Sequence, residues 1–242
     1  NRQRTLVCCS RGVTHSCRHL MNDLISLLPH SKKEAKVEKH FQISSLVELA
    51  EMHSCTSVLY IESRKMFNFL WMAAGPEGPS VKFLLQNVHT SQELRLTGNC
   101  VKYSRPLLTF GPEFEAEPHY QLIKQLLAQT FATPRYHPKS KAFHDHSIHF
   151  AVADGKIWVR HYEIVKQPDD VALIEIGPRF VMTPVKMLGG IMSGKSFFTD
   201  TVAIPSKRPK QTYEQKMVKK AKKEARAVEL PKDELANTEV FG

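Results

Sequence analysis

The stretch Val171–Met187, VALIEIGPRFVMTPVKM, consists of two short apolar runs separated by Gly-Pro-Arg. Ala172 to Ile176 is short, apolar and partly β-branched, the composition of a buried strand, and Gly177-Pro178 obliges the chain to leave that strand through a tight turn. Arg179 is the one charge at the break, so the strand is expected to present it at its tip. An earlier stretch has the same layout: Phe69 to Ala74 runs into Gly75-Pro76 and then into Val81 to Leu85, with Lys82 inside the second apolar run. The two Gly-Pro pairs are 102 positions apart.

A fixed offset shared by several features is the signature of duplication. Arg4-Thr5-Leu6-Val7 is matched by Arg105-Pro106-Leu107-Leu108 at an offset of 101, and Leu20, Met21 and Leu24 by Leu122, Ile123 and Leu126 at 102. Three matches in one order predict two related α/β halves, over residues 1–102 and 103–190, followed by a basic tail over 191–242. In the first half, Thr5 to Cys9 has the apolar content of a buried strand. Thr14 can then cap a helix with an apolar face of Leu20, Met21, Leu24, Leu27 and Leu28, stopped by Pro29. A second helix carries Ser45 and Glu48 at capping-box spacing, and strands follow at Val58 to Glu62, Phe69 to Ala74 and Val81 to Gln86. The second half opens with a strand, Leu107 to Phe110, and a helix, Tyr120 to Phe131. Ile148 to Val152 and Ile157 to Val159 flank Asp154-Gly155, the strongest hairpin signal in the chain. Beyond Gly189-Gly190 the regular pattern fades, and only Tyr213 to Val228 has the composition of a helix.

Of 242 residues, 42% are hydrophobic and 24% charged, which is enough apolar material for a real core. Thirty-four Lys and Arg against 24 Asp and Glu leave a net charge of +10 and favour a polyanionic partner such as nucleic acid. Most of that excess lies in Ser206 to Arg226, which holds nine basic and two acidic residues. All five cysteines fall in the first half at spacings of neither a zinc site nor a disulfide framework, so a reducing compartment is expected. With no leader pattern and no apolar run near the ~18 residues a bilayer requires, the chain is expected to be soluble and intracellular. Because it opens on Asn, it is expected to be part of a longer chain.

Gly189 to Ser196, GGIMSGKS, satisfies the phosphate-loop pattern. That chemistry requires a strand before the loop and a helix N-terminus after it, whereas Phe197 to Ile204 is β-rich, so no nucleotide site is expected. His144, His146 and His149 could suggest a metal, but alternation places His149 opposite the other two and no Cys or carboxylate cluster completes the set. Surface histidines are the expectation. Cys8-Cys9, with Arg11 nearby to lower a thiol pKa, has the makings of a nucleophile, yet a buried strand explains the pair. No catalytic residue, metal or cofactor is therefore expected. The candidate phosphate ligands are Arg11, Arg64, Lys65, Lys82 and Arg179 near strand ends and turns, together with Lys186 and the tail residues Lys207, Arg208, Lys210, Lys219, Lys220, Lys222 and Lys223. Arginine suits the role best, since its planar fork binds phosphate bidentately. For Arg179 an ion pair with Glu175 stands as the alternative.

RTLVCCSRG from Arg4 to Gly12, Asp23 with Leu28-Pro29-His30, LWMAAGPEGPSVKFLL from Leu70 to Leu85, and above all ALIEIGPRFVMTP from Ala172 to Pro184 resemble the Brix-domain family of ribosome biogenesis factors. The resemblance spans roughly Arg4 to Gly190, and the tail shares only its basic character. It implies an α/β Brix domain of two similar halves, each like the anticodon-binding domain of class II aminoacyl-tRNA synthetases, followed by a basic C-terminal extension. It also implies a non-enzymatic role in maturation of the large ribosomal subunit. The implied partners are ribosomal RNA and other nucleolar assembly factors, with no membrane and no small-molecule substrate, and the implied location is the nucleus and nucleolus. A purely protein-binding scaffold and a nucleotide-driven enzyme using Gly189 to Ser196 are the alternatives.

Overall fold

A computed structural model describes residues 3–34, 37, 45–64, 66–75, 77–167 and 170–200. In chain order these form β1 (Thr5–Cys9), α1 (His15–Leu27), β2 (Ser31–Lys33), α2 (Ser45–Met52), β3 (Ser57–Ser63), β4 (Asn68–Ala74), β5 (Ser80–His89) and α3 (Ser91–Leu94). There follow β6 (Pro106–Phe110), a 3-10 turn (Pro112–Glu115), α4 (Pro118–Phe131), β7 (His146–Ala153), β8 (Lys156–Lys166), β9 (Val171–Glu175), β10 (Arg179–Leu188) and β11 (Ser196–Thr199). All eleven strands join one sheet, ordered β2-β1-β3-β4-β5-β10-β8-β7-β6, with β9 on β8 and β11 on β10.

The strand order is mirrored about the central pair β5 and β10. On one side β1 is parallel to β3, and β3, β4 and β5 are successively antiparallel. On the other, β6 is parallel to β7, and β7, β8 and β10 are successively antiparallel. In each case a helix, α1 or α4, links the two parallel strands. The central strands have ten residues each and pair antiparallel along their whole length, from Ser80 opposite Leu188 to His89 opposite Arg179.

Each central strand follows directly on a Gly-Pro pair, but the pair before β5 is Gly78-Pro79 rather than Gly75-Pro76. Gly78 and Gly177 both have left-handed φ, +105° and +87°, and both Gly-Pro peptide bonds are cis. Gly75-Pro76 stands three residues too early because the sequence GPEGP contains two such pairs and only the second abuts the strand. The run Ala172 to Ile176 also differs from expectation. It forms β9, which pairs with β8 alone and leaves Val171 and Leu173 exposed. Its neighbour β10 takes the central position, so the buried run is Phe180 to Val185. Asp154 and Gly155 do form the hairpin turn between β7 and β8, with φ of +53° and +67° as a two-residue turn of this hand requires. Residues 191–200, placed by sequence in the tail, include β11, which is part of the sheet.

Alternation along the strands divides the core into two layers. Leu20, Met21 and Leu24 of α1 and Tyr120, Ile123, Leu126 and Leu127 of α4 pack on one face, against residues such as Leu59, Leu70, Phe83, Phe150 and Met182. On the other face Leu46 and Ala50 of α2 cover Leu6, Cys8, Val58, Tyr60, Trp71 and Ala73, with Leu188, Ile191 and Met192 closing the layer. Cys8 and Cys9 thus enter opposite layers, and burial pushes the Cys8 thiol far above its ordinary range, which leaves it inert. Thr14 occupies the N-cap position of α1, though its side chain accepts no bond from the helix. Among the described residues no helix covers the second half as α2 covers the first; on β8 Trp158 stays exposed, whereas the outward residues Val181, Thr183 and Val185 of β10 are buried.

The backbone of Gly78 lies against the chain that leaves β10. A Cβ there would stand 2.5 Å from the Gly189 carbonyl oxygen and 2.8 Å from Gly190, whereas one on Gly155 would meet nothing within 4 Å. Gly78→Ala is therefore expected to lose about 3 kcal/mol of stability, through the disfavoured φ and the clash. Gly155→Ala should lose only about 1 kcal/mol, from its φ alone. Urea denaturation of the two variants beside the wild type measures the difference.

Candidate nucleic-acid interface

Period-two alternation turns Val159 and Phe180 into the core and points Trp158, Arg160, Arg179 and the buried Val181 to the opposite face. The β5 strand contributes to the same place through a bulge. Gln86 faces Val181 and His89 faces Arg179, so β5 carries one residue more than β10 over that interval, and Asn87 takes a φ of +47° to accommodate it. A bulge of this kind re-aims side chains and leaves the ladder locally open. The result is a groove of about 270 Å³ lined by Asn87, His89, Trp158, Arg160, Arg179 and Val181. Trp158 remains 36% exposed despite its size. An exposed indole face beside two guanidinium groups matches single-stranded nucleic acid, because bases stack on the ring and phosphates pair with the arginines.

Arg179 begins β10, at the tip the sequence suggested, but it answers to both descriptions of its role. Its Nη1 lies 3.6 Å from Glu175 Oε2, a long contact, and its side chain is 38% exposed. An ion pair of that length and exposure contributes at most about 1 kcal/mol. The guanidinium is thus positioned by Glu175 and still faces the groove.

The other candidates are dispersed. The parallel strands β1 and β3 end at the same side of the sheet, bringing Arg11 and Arg64 to the end at which β10 begins with Arg179. Four strand spacings separate β1 from β10, about 19 Å, so these arginines form a row along one sheet end and do not converge on one phosphate. Arg11 is exposed; Arg64 donates from Nε to Glu62 Oε1 at 2.6 Å. Lys82 lies inside β5 and not near its end. It is buried, and its ammonium donates to Glu62 Oε2 at 3.0 Å and sits 4.1 Å from the Phe69 ring centroid and 4.7 Å from that of Trp71. A cation so enclosed serves the fold, which corrects its expected place at an accessible turn. Lys186 is half-buried opposite Lys82. Lys65 and the tail residues Lys207, Arg208, Lys210, Lys219, Lys220, Lys222 and Lys223 lie outside the described residues.

Glu62 is the acceptor that organises this enclosed cluster, taking bonds from Arg64, Lys82 and the Trp71 indole, the last at 2.9 Å. Burial pushes its carboxyl pKa up, but the three donors outweigh burial and hold it below the usual 4.5. Burial likewise draws the Lys82 pKa down, with Glu62 opposing it.

Two other expectations meet the structure differently. In Gly189 to Ser196 the Gly189 N–H donates to the Lys195 carbonyl at 3.1 Å, the Gly190 N–H to that of Ser193 at 3.1 Å and the Met192 N–H to Ser80 Oγ at 2.8 Å. Ser196 opens a strand where a phosphate loop would open a helix. These three amides of the loop are committed to the protein. The three histidines do not form a surface group. His144 is exposed and bonded to the Arg105 carbonyl, His149 is half-buried beside Thr109, and His146 is fully buried.

This arrangement is found in a chain whose residues 10–186 match the Brix domain family model. The chain belongs to the Brix-domain family. The chain is 46% identical over 199 residues to the ribosome biogenesis protein BRX1 homolog of Xenopus laevis, covering 82% of this chain and 58% of that protein. The ribosome biogenesis protein BRX1 of Saccharomyces cerevisiae is 43% identical over 238 residues, covering 94% of this chain and 82% of its own length. The chain therefore spans little more than half of some relatives and most of others. A probable ribosomal biogenesis protein from Aeropyrum pernix K1 superposes with a TM-score of 0.51 at 16% identity, over 75% of this chain and 96% of that one, and shares the Brix fold. Among the described residues no helix is long and apolar enough to cross a membrane.

Trp158, Arg160 and His89 line the groove without having been singled out in the sequence. The alternation Ile157-Trp158-Val159-Arg160 does carry the signal, since it puts an aromatic and a cation on one face of a strand beside a certain hairpin. What it lacks is the knowledge that Trp158 stays accessible there.

Glu62→Gln should lose about 3 kcal/mol of stability at neutral pH, because it leaves the enclosed Lys82 charge without its counter-charge. Since the folded pKa of Glu62 is depressed, its contribution is complete above the ordinary 4.5 and is lost as pH falls through the lower folded value. Urea midpoints between pH 3 and 7 should therefore fall less steeply with acid in Glu62→Gln than in the wild type. Arg179→Ala, by contrast, should cost no more than about 1 kcal/mol in the same assay.

Proposed function

We propose that this chain is a non-enzymatic ribosome assembly factor that binds ribosomal RNA along the groove between β5, β10 and β8 during maturation of the large subunit. The observation that carries the proposal is the exposed Trp158 next to Arg160 on β8, with Arg179 across from it on β10, in one groove. Stacking on such a ring tolerates any base, and flanking arginines follow the backbone, so the groove suits an unpaired RNA segment better than a duplex. Family membership supports the same direction, since its relatives carry the name ribosome biogenesis protein. The basic segment Ser206 to Arg226 adds a sequence-independent electrostatic contribution. A nucleolar location and association with other assembly factors follow from that role. Exposed Val171 and Leu173 on the lateral strand β9 support a protein-binding face distinct from the groove.

Binding of single-stranded ribosomal RNA fragments at several salt concentrations tests the proposal. Trp158→Ala should weaken binding by about 1 to 3 kcal/mol, the usual contribution of one stacked base. Arg179→Ala should weaken it with little loss of thermal stability, and Arg179→Lys should recover part of the affinity through charge without the planar fork. Deleting residues 206–242 should flatten the slope of log affinity against log salt by about 0.7 to 0.9 for each phosphate contact removed. Unchanged RNA affinity in both Trp158→Ala and Arg179→Ala would reject the groove as the RNA site and favour the protein-binding scaffold.

A further inference from the structure

His146 opens β7 and His161 lies within β8, where Ile148 faces His161 and Glu163 faces His146. The two histidines are therefore diagonal neighbours on one face of an antiparallel pair. Both are 2% exposed, and their rings meet edge to face with centroids 5.0 Å apart. Each ring is held by Nδ1. For His146 the partners are Asp145 Oδ1 at 2.6 Å and Ser104 Oγ at 2.9 Å; for His161 it is the Gly177 carbonyl oxygen at 2.7 Å. A carboxylate and a carbonyl can only accept, so the proton of each ring resides on Nδ1 and the lone pair on Nε2. Neither Nε2 has a hydrogen-bond partner. Buried polar atoms ordinarily find one, and two imidazole nitrogens left unpaired at one place indicate a missing acceptor of electron pairs.

A third donor completes the set. The Cys100 sulfur and one nitrogen from each of His146 and His161 all lie within 4.8 Å of one another. The segment that carries Cys100 is fixed by three successive amides: Asn99 N–H donates to Glu163 Oε2 at 2.8 Å, Cys100 N–H to Asn99 Oδ1 at 2.8 Å, and Val101 N–H to Asp145 Oδ2 at 2.6 Å. Asp145 thereby orients His146 with one oxygen and the cysteine segment with the other. A histidine whose far nitrogen is held by a carboxylate or a backbone carbonyl is the usual support of a metal-ligating ring, and it occurs here twice.

We propose that Cys100, His146 and His161 bind one divalent ion of the zinc type. A sulfur and two neutral imidazoles are borderline-soft donors that select zinc over calcium or magnesium, which take oxygen. A cavity of about 150 Å³ lined by Ser26, Leu27, Cys100, Tyr103 and His146 provides an entry path and room for a water as fourth ligand. Burial pushes the His161 pKa down to about 4, so its ring is neutral at physiological pH, as a ligand must be. Burial, aided by Asp145 and Glu163, pushes the Cys100 thiol up to about 11; an arriving cation displaces that proton and is itself favoured by the two carboxylates. The ligands are separated by 46 and 15 residues, so no spacing motif betrays them.

The test uses the full chain, stripped of metal by a chelator and titrated with zinc and, as a spectroscopic probe, cobalt(II). The wild type should retain one equivalent of zinc through gel filtration, and its cobalt form should show a sulfur-to-metal charge-transfer band with tetrahedral ligand-field absorption. Cys100→Ser, at a half-buried position that tolerates the change, should keep its metal-free melting temperature while losing the charge-transfer band and the zinc equivalent. Asp145→Asn should bind zinc about 10 to 100-fold more weakly, through misorientation of His146. A wild type that retains no zinc, or a Cys100→Ser variant with unreduced zinc content and an unchanged cobalt spectrum, would overturn the proposal.

Discussion

The antiparallel pairing of β5 with β10 is the constraint on which the rest of the domain depends. Ten residues of each half meet there, and the two strands bury Phe83 and Leu85 on one side and Phe180, Met182 and Met187 on the other within the same apolar layer. The outer strands are then placed by alternation and by the helices that link parallel neighbours. The two halves share one sheet and bury one continuous apolar cluster beneath α1 and α4. Backbone hydrogen bonding thus joins what a simple two-domain description would separate. Residues 1–204 form a single compact unit.

Departures from regularity in this pairing generate the features of chemical interest. The bulge at Asn87 opens the ladder beside Trp158 and Arg179, and a second irregularity at Pro184 lets a proline sit in a central strand, where it can donate nothing to the ladder. The Gly-Pro pair before β10 brings the Gly177 carbonyl to His161. At the other end, Ser80 at the start of β5 donates to the Gly190 carbonyl and accepts from the Met192 amide, and so fastens the chain as it leaves β10. A segment that resembles a phosphate loop in sequence is in this way a structural clasp.

Much of the fold could be read from the residues themselves. The hairpin at Asp154-Gly155, both long helices and the strands β1, β3, β4 and β5 follow from periodicity and turn chemistry, which are local and leave a mark within a dozen positions, whereas the short polar β2 carries no such mark. The errors arose where tertiary placement overrides local pattern. Ala172 to Ile176 has the composition of a buried strand yet ends at the side of the sheet, since the neighbouring run was longer and took the central site. Lys82 looked like a surface cation because sequence cannot foresee that Glu62, Trp71 and Phe69 will surround it. Likewise, Trp158 and Arg160 were visible as a pattern and invisible as a groove, for accessibility is a property of what fails to pack above them.

The unequal covering of the sheet separates two kinds of selective pressure within one architecture. Where α2 lies over the first half, each outward side chain is bound by the volume available to it, and substitution is limited by packing. Where Trp158 and Arg179 reach solvent, the strand positions are released from that limit, and the sheet beneath supplies rigidity without dictating identity. Substitution at those open positions can therefore alter what is bound while keeping the scaffold intact. The mirrored sheet so acquires a conservative side and an adaptable one.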